Sequence, residues 1–324
     1  MREERSEPED LPPLELTTLR ELDLAEATAE GRDPHMGAAS GVVRRGDFAY
    51  VIADDELALG VFRISGSDPG EARPVLPGSL PDEESERKGA KPDLEALTAL
   101  PPFKDTPYGG LFGLGSGSDS EGNRDRGFFW AFAADGSLDG EPKVVDLSPL
   151  YEMLREELGD LNVEGAAVLG DELWLFHRGN EGEAGNVVAE IELSDLAGSL
   201  TGDLDIDVAE LKELREYDLG EMDGVALCFS DATALSEELV CFTASAEGEE
   251  DGDIRGSVVG TISVSGEVRR LRTIDRQWKV EGVHAAVDTG VIDFVFVCDQ
   301  DDEEVPSPLL TATMPLKPGI ESAD

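Results

Sequence analysis

Four carboxylates recur at matched places in this chain: Glu95, Glu164, Asp223 and Glu281. Each is followed by Gly or Ala and an apolar run, and a fifth copy of the phrase carries Ser40 at the same place. About a dozen residues after each comes a second apolar run with a polar end, as in Leu173-Trp174-Leu175-Phe176 and Phe294-Val295-Phe296-Val297. The five copies predict a repeat in which the lead residues meet at one mouth of a central channel. Carboxylates brought together repel, and each holds its proton more tightly unless a cation compensates. A divalent ion with oxygen ligands, Ca²⁺ or Mg²⁺, would compensate them and could activate a water. Interleaved lysine and arginine would also do so. A third arrangement is purely structural, with each carboxylate accepting hydrogen bonds from backbone N–H groups of the next module.

The basic residues beside this position are informative because lysine is scarce, with seven in the chain. Lys88 and Lys91 precede Glu95, and Lys279 precedes Glu281. They would neutralise the acids or contact an anionic ligand. The ends of the second runs give another ring. Alignment places Ile52, Gly115, His177, Thr243 and Cys298 together, followed by Ala53, Ser116, Arg178, Ala244 and Asp299. Two places further come Asp55, Ser118, Asn180, Ala246 and Asp301. The third copy, His177-Arg178-Gly179-Asn180, is chemically richest. His177 could act as a general acid or base, or sit as a hydrogen-bonded structural histidine. The Gly115-Ser116-Gly117-Ser118 loop, with Arg124 and Arg126 after it, could cradle an anion through backbone N–H groups and guanidinium. It lacks the Gly-Lys-Ser/Thr ending of a phosphate-binding P-loop, and no zinc-protease or hydrolase-elbow motif occurs.

The elements that must position these residues are strands. Each copy adds a third strand-like run and, in the first four, a fourth. The alternating stretch Leu14–Leu24 stands unpaired at the start, and the fifth copy lacks its last strand. Ring closure by the N-terminal strand solves both problems and removes an exposed edge. The expected fold is therefore all-β, a five-bladed β-propeller closed by the N-terminal strand, with a six-bladed ring as the alternative. One domain spans 14–317 between frayed tails at 1–13 and 318–324. A helix is expected over Ser148–Leu158, with Ser148 as its cap and Pro149 in the first turn. The long polar loop 65–92 is expected to cover a face of the ring or to be mobile.

The 324 residues hold 72 Asp and Glu against 26 Lys and Arg, a net charge of −46. The acids are spread along the chain among regular apolar runs, which argues for a folded protein. Such self-repulsion is relieved in molar salt, where the Debye length falls to about 3 Å. The composition reads as halophilic. It argues against nucleic acid and against an anionic membrane surface as partners. Three cysteines without framework spacing suit reduced thiols, and the start of the chain has no apolar signal core, so the expected compartment is the cytoplasm.

The phrases Asp93-Leu94-Glu95-Ala96-Leu97 and Asn162-Val163-Glu164-Gly165-Ala166 resemble the Asp-x-Glu-Gly-apolar phrase of phytase-like (esterase-like) propeller proteins. They are also similar to the Glu-Gly strand of gluconolactonase-type propellers. That resemblance implies a divalent-metal ligand at Glu164, with Glu281 as a second. Taken together, the residues point to a metal-assisted hydrolase of a small anionic ester, a phosphoester or lactone. Glu95, Glu164, Asp223 and Glu281 would hold the ion, and Glu164 and His177 would be catalytic. Lys91, Ser116, Ser118, Arg126, Arg178 and Asn180 would bind substrate. The alternative is a non-catalytic propeller that binds a ligand or a protein over one face.

Overall fold

The computed structural model describes residues 9, 11–103, 105–118, 122–179, 185–194, 196, 210–248, 254–299, 302 and 304–315. Asn180, most of the expected N-terminal tail and the whole 318–324 tail lie outside the described residues.

The chain forms five four-stranded antiparallel sheets in a ring. Blade one is β2 (Ala39–Arg45), β3 (Phe48–Ala53), β4 (Ala58–Arg63) and β5 (Glu71–Pro74), numbered after β1 (Thr17–Glu21). The short helix α1 (Glu84–Ala90) follows. Blade two is β6 (Leu94–Leu100), β7 (Gly110–Gly115), β8 (Arg126–Ala131) and β9 (Lys143–Asp146), followed by α2 (Ser148–Leu158). Blade three is β10 (Val163–Leu169), β11 (Glu172–His177), β12 (Asn186–Glu192) and β13 (Leu211–Tyr217). A hairpin of β14 (Glu221–Met222) and β15 (Val225–Ala226) leads to blade four. That blade is β16 (Cys228–Ser236), β17 (Leu239–Glu247), β18 (Ile254–Ser263) and β19 (Val268–Thr273). Blade five takes β20 (Val280–Asp288), β21 (Val291–Cys298) and β22 (Pro308–Pro315) from the end of the chain and β1 from its start.

The closure is the expected one. Thr17 pairs with Thr311 and Glu21 with Pro308, so β1 covers the edge that β22 would otherwise expose. The length of the second repeat is taken up by α2 rather than by a sixth blade. Ser148 is not the cap of that helix. It is the first helical residue, and Asp146 Oδ1 accepts bonds from its backbone N–H (3.0 Å) and its hydroxyl (2.7 Å). Within the stretch 65–92, β5 is the expected fourth strand of the first copy, and α1 is a helix in place of the expected plain loop.

Strand alternation gives each sheet two apolar faces, and each gap between blades is filled. Tyr50 and Ile52 pack with Leu111 and Phe128 between blades one and two. Phe112 and Leu114 meet Leu173 and Leu175 between two and three, and Trp174 and Phe176 meet Phe229 and Phe242 between three and four. Cys241 and Val259 pack with Phe294 and Phe296 between four and five, and Val295 and Val297 with Val42 and Val51 between five and one. Each pair of neighbouring blades round the ring thus shares an apolar core. No helix among the described residues is long and apolar enough to cross a membrane.

The innermost strands β2, β6, β10, β16 and β20 pack side by side around the axis. Their close approach explains the glycines that follow Glu164 and Glu281. A Cβ on Gly165 would lie 2.7 Å from the Ala232 nitrogen, and one on Gly282 would lie 2.9 Å from Gly41 Cα. Backbone there leaves no room for a side chain.

Candidate functional site

Each innermost strand carries a β-bulge near its start. The register slips past Ser40, Glu95, Glu164, Ser230 and Glu281. A bulge inserts an unpaired residue and re-aims its side chain, so these positions define the ring that the repeat predicts. Blade four differs from expectation. Its ring residue is Ser230, not Asp223. Asp223 and Gly224 have φ of 51° and 85° and form the two-residue turn between β14 and β15. Asp223 is half-exposed there and pairs with Arg276. An Asp-Gly before an apolar run is also a hairpin signal, and that is how the turn imitates the repeat phrase.

The two serines of the ring act structurally. Ser40 Oγ donates to Leu94 O (2.6 Å) and Ser230 Oγ to Val280 O (3.0 Å), in each case stapling one blade to the next. Asp231, fully buried next to Ser230, accepts from its own neighbour Ala232 N–H and from Val283 N–H, both at 2.7 Å. Burial raises its pKa well above the usual range.

The three ring glutamates open on a network of acids with cations set between them. At blades one and two, Lys91 Nζ binds the Asp54 carboxylate and lies 2.8 Å from Asp93 Oδ1. Arg124 Nη1 donates to Asp93 Oδ2 at 2.8 Å, and Ser116 and Ser118 donate to the same oxygen. Asp54, Asp93 and Glu95 each place a carboxylate oxygen within 4.8 Å of the others. Among the described residues, Glu95 makes no side-chain hydrogen bond. At blades three and four, Arg178 lies 3.7 Å from Glu164 Oε1 and 2.8 Å from Glu247 Oε1. At blade five, Lys279 lies 3.2 Å from Glu281 and 3.3 Å from Asp299.

The electrostatics follow from crowding acids where water is thin. Burial, with Glu164 and Asp93 nearby, raises Glu95 well above the usual carboxylate range. Burial raises Glu164 to about 7 and Glu281 to about 8, although Arg178 and Lys279 pull the other way. Asp54 is pushed up to about 6 by burial against the pull of Lys91. Asp93 goes the other way. Burial opposes its charge, but Lys91, Ser116 and Arg124 outweigh it, so it stays ionised below the usual range. Lys91 is held charged by Asp54, Asp93 and Glu95 despite its burial. The mouth thus places an ionised aspartate near glutamates that keep their protons to neutral pH.

His177 is buried on β11 opposite Val163. Its Nδ1 accepts from Asn162 N–H at 3.0 Å, and its Nε2 has no hydrogen-bond partner among the described residues. Burial lowers its pKa, so the ring is neutral. Asn162 in turn donates from Nδ2 to Glu164 Oε1 at 2.6 Å. His177 therefore touches the mouth only through Asn162. Arg126 begins β8 and bonds to Asn123 O (3.3 Å), while its neighbour Arg124 reaches Asp93.

Of the residues expected from sequence, the mouth gathers Lys91, Glu95, Ser116, Ser118, Glu164, Arg178 and Glu281. It does not gather Asp223 or Arg126, and Asn180 is outside the described residues. Sequence reading missed Asp54, Asp93 as a member of the acid cluster, Glu247 and Asp231, and of the two arginines after the Gly/Ser loop it settled on Arg126, whereas Arg124 is the one that reaches Asp93. The register shows why Asp54 escaped. Ala53, not Ile52, matches Gly115, His177 and Cys298, and Ala244, not Thr243, completes that row. A one-residue slip hid Asp54 in the next row, beside Ser116, Arg178 and Asp299.

Fold and side-chain cluster together define a five-bladed β-propeller with acids and interleaved cations gathered at the starts of its innermost strands. The chain belongs to a family of unknown function, DUF6929, which matches residues 35–314. No curated protein matches it. Solved structures do. The α-L-arabinofuranosidase PaAbf62A of Podospora anserina, solved with cellotriose, is 10% identical over 94% of this chain and 98% of that one, with a TM-score of 0.52. The mannose phosphorylase MPT-4 of Leishmania mexicana is 12% identical over 90% and 86%, with a TM-score of 0.44. At such identity the likeness concerns the fold. Of what the resemblance to phytase-like and gluconolactonase-type proteins implied, the β-propeller fold is the part shown.

Proposed function

We propose that the channel mouth is a metal-assisted hydrolytic site for a small anionic ester, such as a phosphoester or lactone. The observation that carries this reading is the meeting of Asp54, Asp93 and Glu95 oxygens within 4.8 Å. Three hard oxygen donors suit Mg²⁺, Mn²⁺ or Ca²⁺. An ion there would supply charge neutralisation and a water of lowered pKa. Glu164, poised near 7, is the acid–base group, in contrast to Asp93, which stays ionised. Asn162 orients the Glu164 carboxyl, and His177 fixes Asn162, which makes His177 a positioning residue in this reading. Glu281 and Arg178 shape the far side of the mouth. Lys91, Arg124, Ser116 and Ser118 are the donors for a substrate anion.

Titration calorimetry with Mn²⁺ in molar KCl, joined to turnover of aryl phosphoesters and lactones, tests the proposal. Asp54→Asn should weaken Mn²⁺ at least tenfold. Glu164→Gln should leave Mn²⁺ binding nearly intact and cut turnover about 100-fold, the low end of general acid–base contributions. Absence of both Mn²⁺ binding and turnover in the wild-type protein would falsify it.

A second reading, a non-catalytic ligand- or protein-binding propeller, is favoured by one specific observation. Several mouth carboxylates are already satisfied, with Asp231 on two backbone N–H groups and Glu281 on Lys279. Ligand binding at the mouth without turnover or metal would select it.

A further inference from the structure

The ammonium of Lys91 sits among the same three carboxylates that would hold a divalent ion. It binds Asp54 and lies 2.8 Å from Asp93, and a Glu95 carboxyl oxygen lies within 4.8 Å of theirs. An ion held at the 2.0–2.6 Å distances of Mg²⁺ or Ca²⁺ would take up the same oxygens, so ion and ammonium compete. The root of the side chain is fixed. Lys91 N–H caps α1 by donating to Arg87 O (2.8 Å). Arg87 is buried at 2% exposure, and its guanidinium binds Asp55 Oδ2 (3.1 Å) and the carbonyls of Pro81 (3.2 Å) and Asp82 (2.9 Å). Only the flexible four-carbon stem is left to move. A displaced ammonium therefore stays tethered at the mouth, close to Arg124.

We infer that Lys91 is an exchangeable internal cation: it fills the Asp54–Asp93–Glu95 triad until a divalent ion enters, and the displaced ammonium then helps to hold the substrate anion. This rests on the metal reading above and deepens it. Binding becomes ordered, cation first and anion second, and the two affinities are coupled reciprocally. Lys91 thereby sets specificity twice. It raises the threshold for the ion, because only an ion of higher charge displaces it, and it supplies the positive charge for the anion.

Calorimetry on the full chain in molar KCl, with Mn²⁺ and inorganic phosphate as probes, tests the exchange. In the wild type, saturating Mn²⁺ should tighten phosphate binding at least tenfold. Lys91→Met should bind Mn²⁺ at least tenfold more tightly than the wild type and lose the Mn²⁺-dependent gain for phosphate. Lys91→Gln, which keeps a polar head without the charge, should behave the same way and serves if the Met variant does not fold. Lys91→Arg should keep Mn²⁺ binding weak. If the wild type binds Mn²⁺ and the neutral variants bind it no more tightly, the exchange is overturned and the metal reading stands. If only the neutral variants bind Mn²⁺, the competition is upheld and a resident metal in the wild type is not. If none binds Mn²⁺, both fall.

Discussion

Glu164 and Glu281 hold their protons to about pH 7 and about pH 8 because burial disfavours the charge more than Arg178 and Lys279 favour it. In the unfolded chain the same groups lose theirs near 4.5. Between roughly pH 5 and 8 the folded state therefore binds more protons than the unfolded one, and stability falls as pH rises through that window. A tenfold change in proton affinity is worth about 1.4 kcal/mol, which puts an upper bound of roughly 3–4 kcal/mol on Glu164 alone. With chelator present, Glu164→Gln should raise the Tm at pH 8 by on the order of 2–5 °C and leave it unchanged at pH 5. A wild-type Tm that is flat from pH 5 to 8 would count against the buried, proton-holding glutamates. The residues of this mouth were unevenly legible in the sequence. Glu95, Glu164 and Glu281 announce themselves, because each stands before a Gly or Ala and an apolar run in a phrase that repeats along the chain. Asp54 does not, since a shift of one residue moves a side chain to the other face of a strand. Arg124 and Arg126 could be told apart only by where their loop meets β8.

Closure of the ring depends on one short element. β1 is five residues long and largely exposed, yet it supplies the outer strand of blade five. The chain before it adds Leu14, packed in the blade four–five core, and the chain after it adds Leu22 and Leu24 in the blade five–one core. Removing residues 1–24 deletes these anchors and exposes the edge of β22, a template for pairing with another chain. The truncated protein should melt at a lower temperature than the full chain and associate, as seen by calorimetry and light scattering. A synthetic peptide of residues 9–24 should restore a monomer with a higher Tm. A truncated chain that stays monomeric and melts like the full protein would show that closure contributes little. This element was legible because an unmatched strand at one end and a missing one at the other have one economical resolution. The β14–β15 hairpin was not, because Asp-Gly followed by apolar residues serves equally well for a tight turn and for the lead phrase, and only the ladder partners decide.

Across the whole molecule several of the scarce cations each serve two acids. Lys212 bridges Glu172 and Glu192, Arg215 bridges Glu190 and Glu213, and Arg32 bridges Asp55 and Glu56. Even two acids for every Lys and Arg would leave carboxylates over, given 72 acids and 26 bases. The surplus repels itself in the folded state more than in the expanded chain, because folding brings the charges closer. Apolar burial in the five inter-blade cores must outweigh that repulsion, and its strength depends only weakly on KCl, whereas repulsion beyond the first neighbours is screened as the Debye length shrinks from about 8 Å at physiological ionic strength to about 3 Å at 1 M. The Tm should therefore climb steeply from 0.1 to 1 M KCl, by on the order of 10 °C or more, and flatten above that. NaCl should follow nearly the same curve, since general screening does not depend on which monovalent cation is present. Lowering the pH to 5 at 0.1 M KCl should recover part of the loss, because protonating carboxylates removes the same repulsion. Equal melting temperatures at 0.1 and 3 M KCl would mean that the acids are locally compensated in ways these ion pairs do not reveal, and the link between composition and salt would be broken.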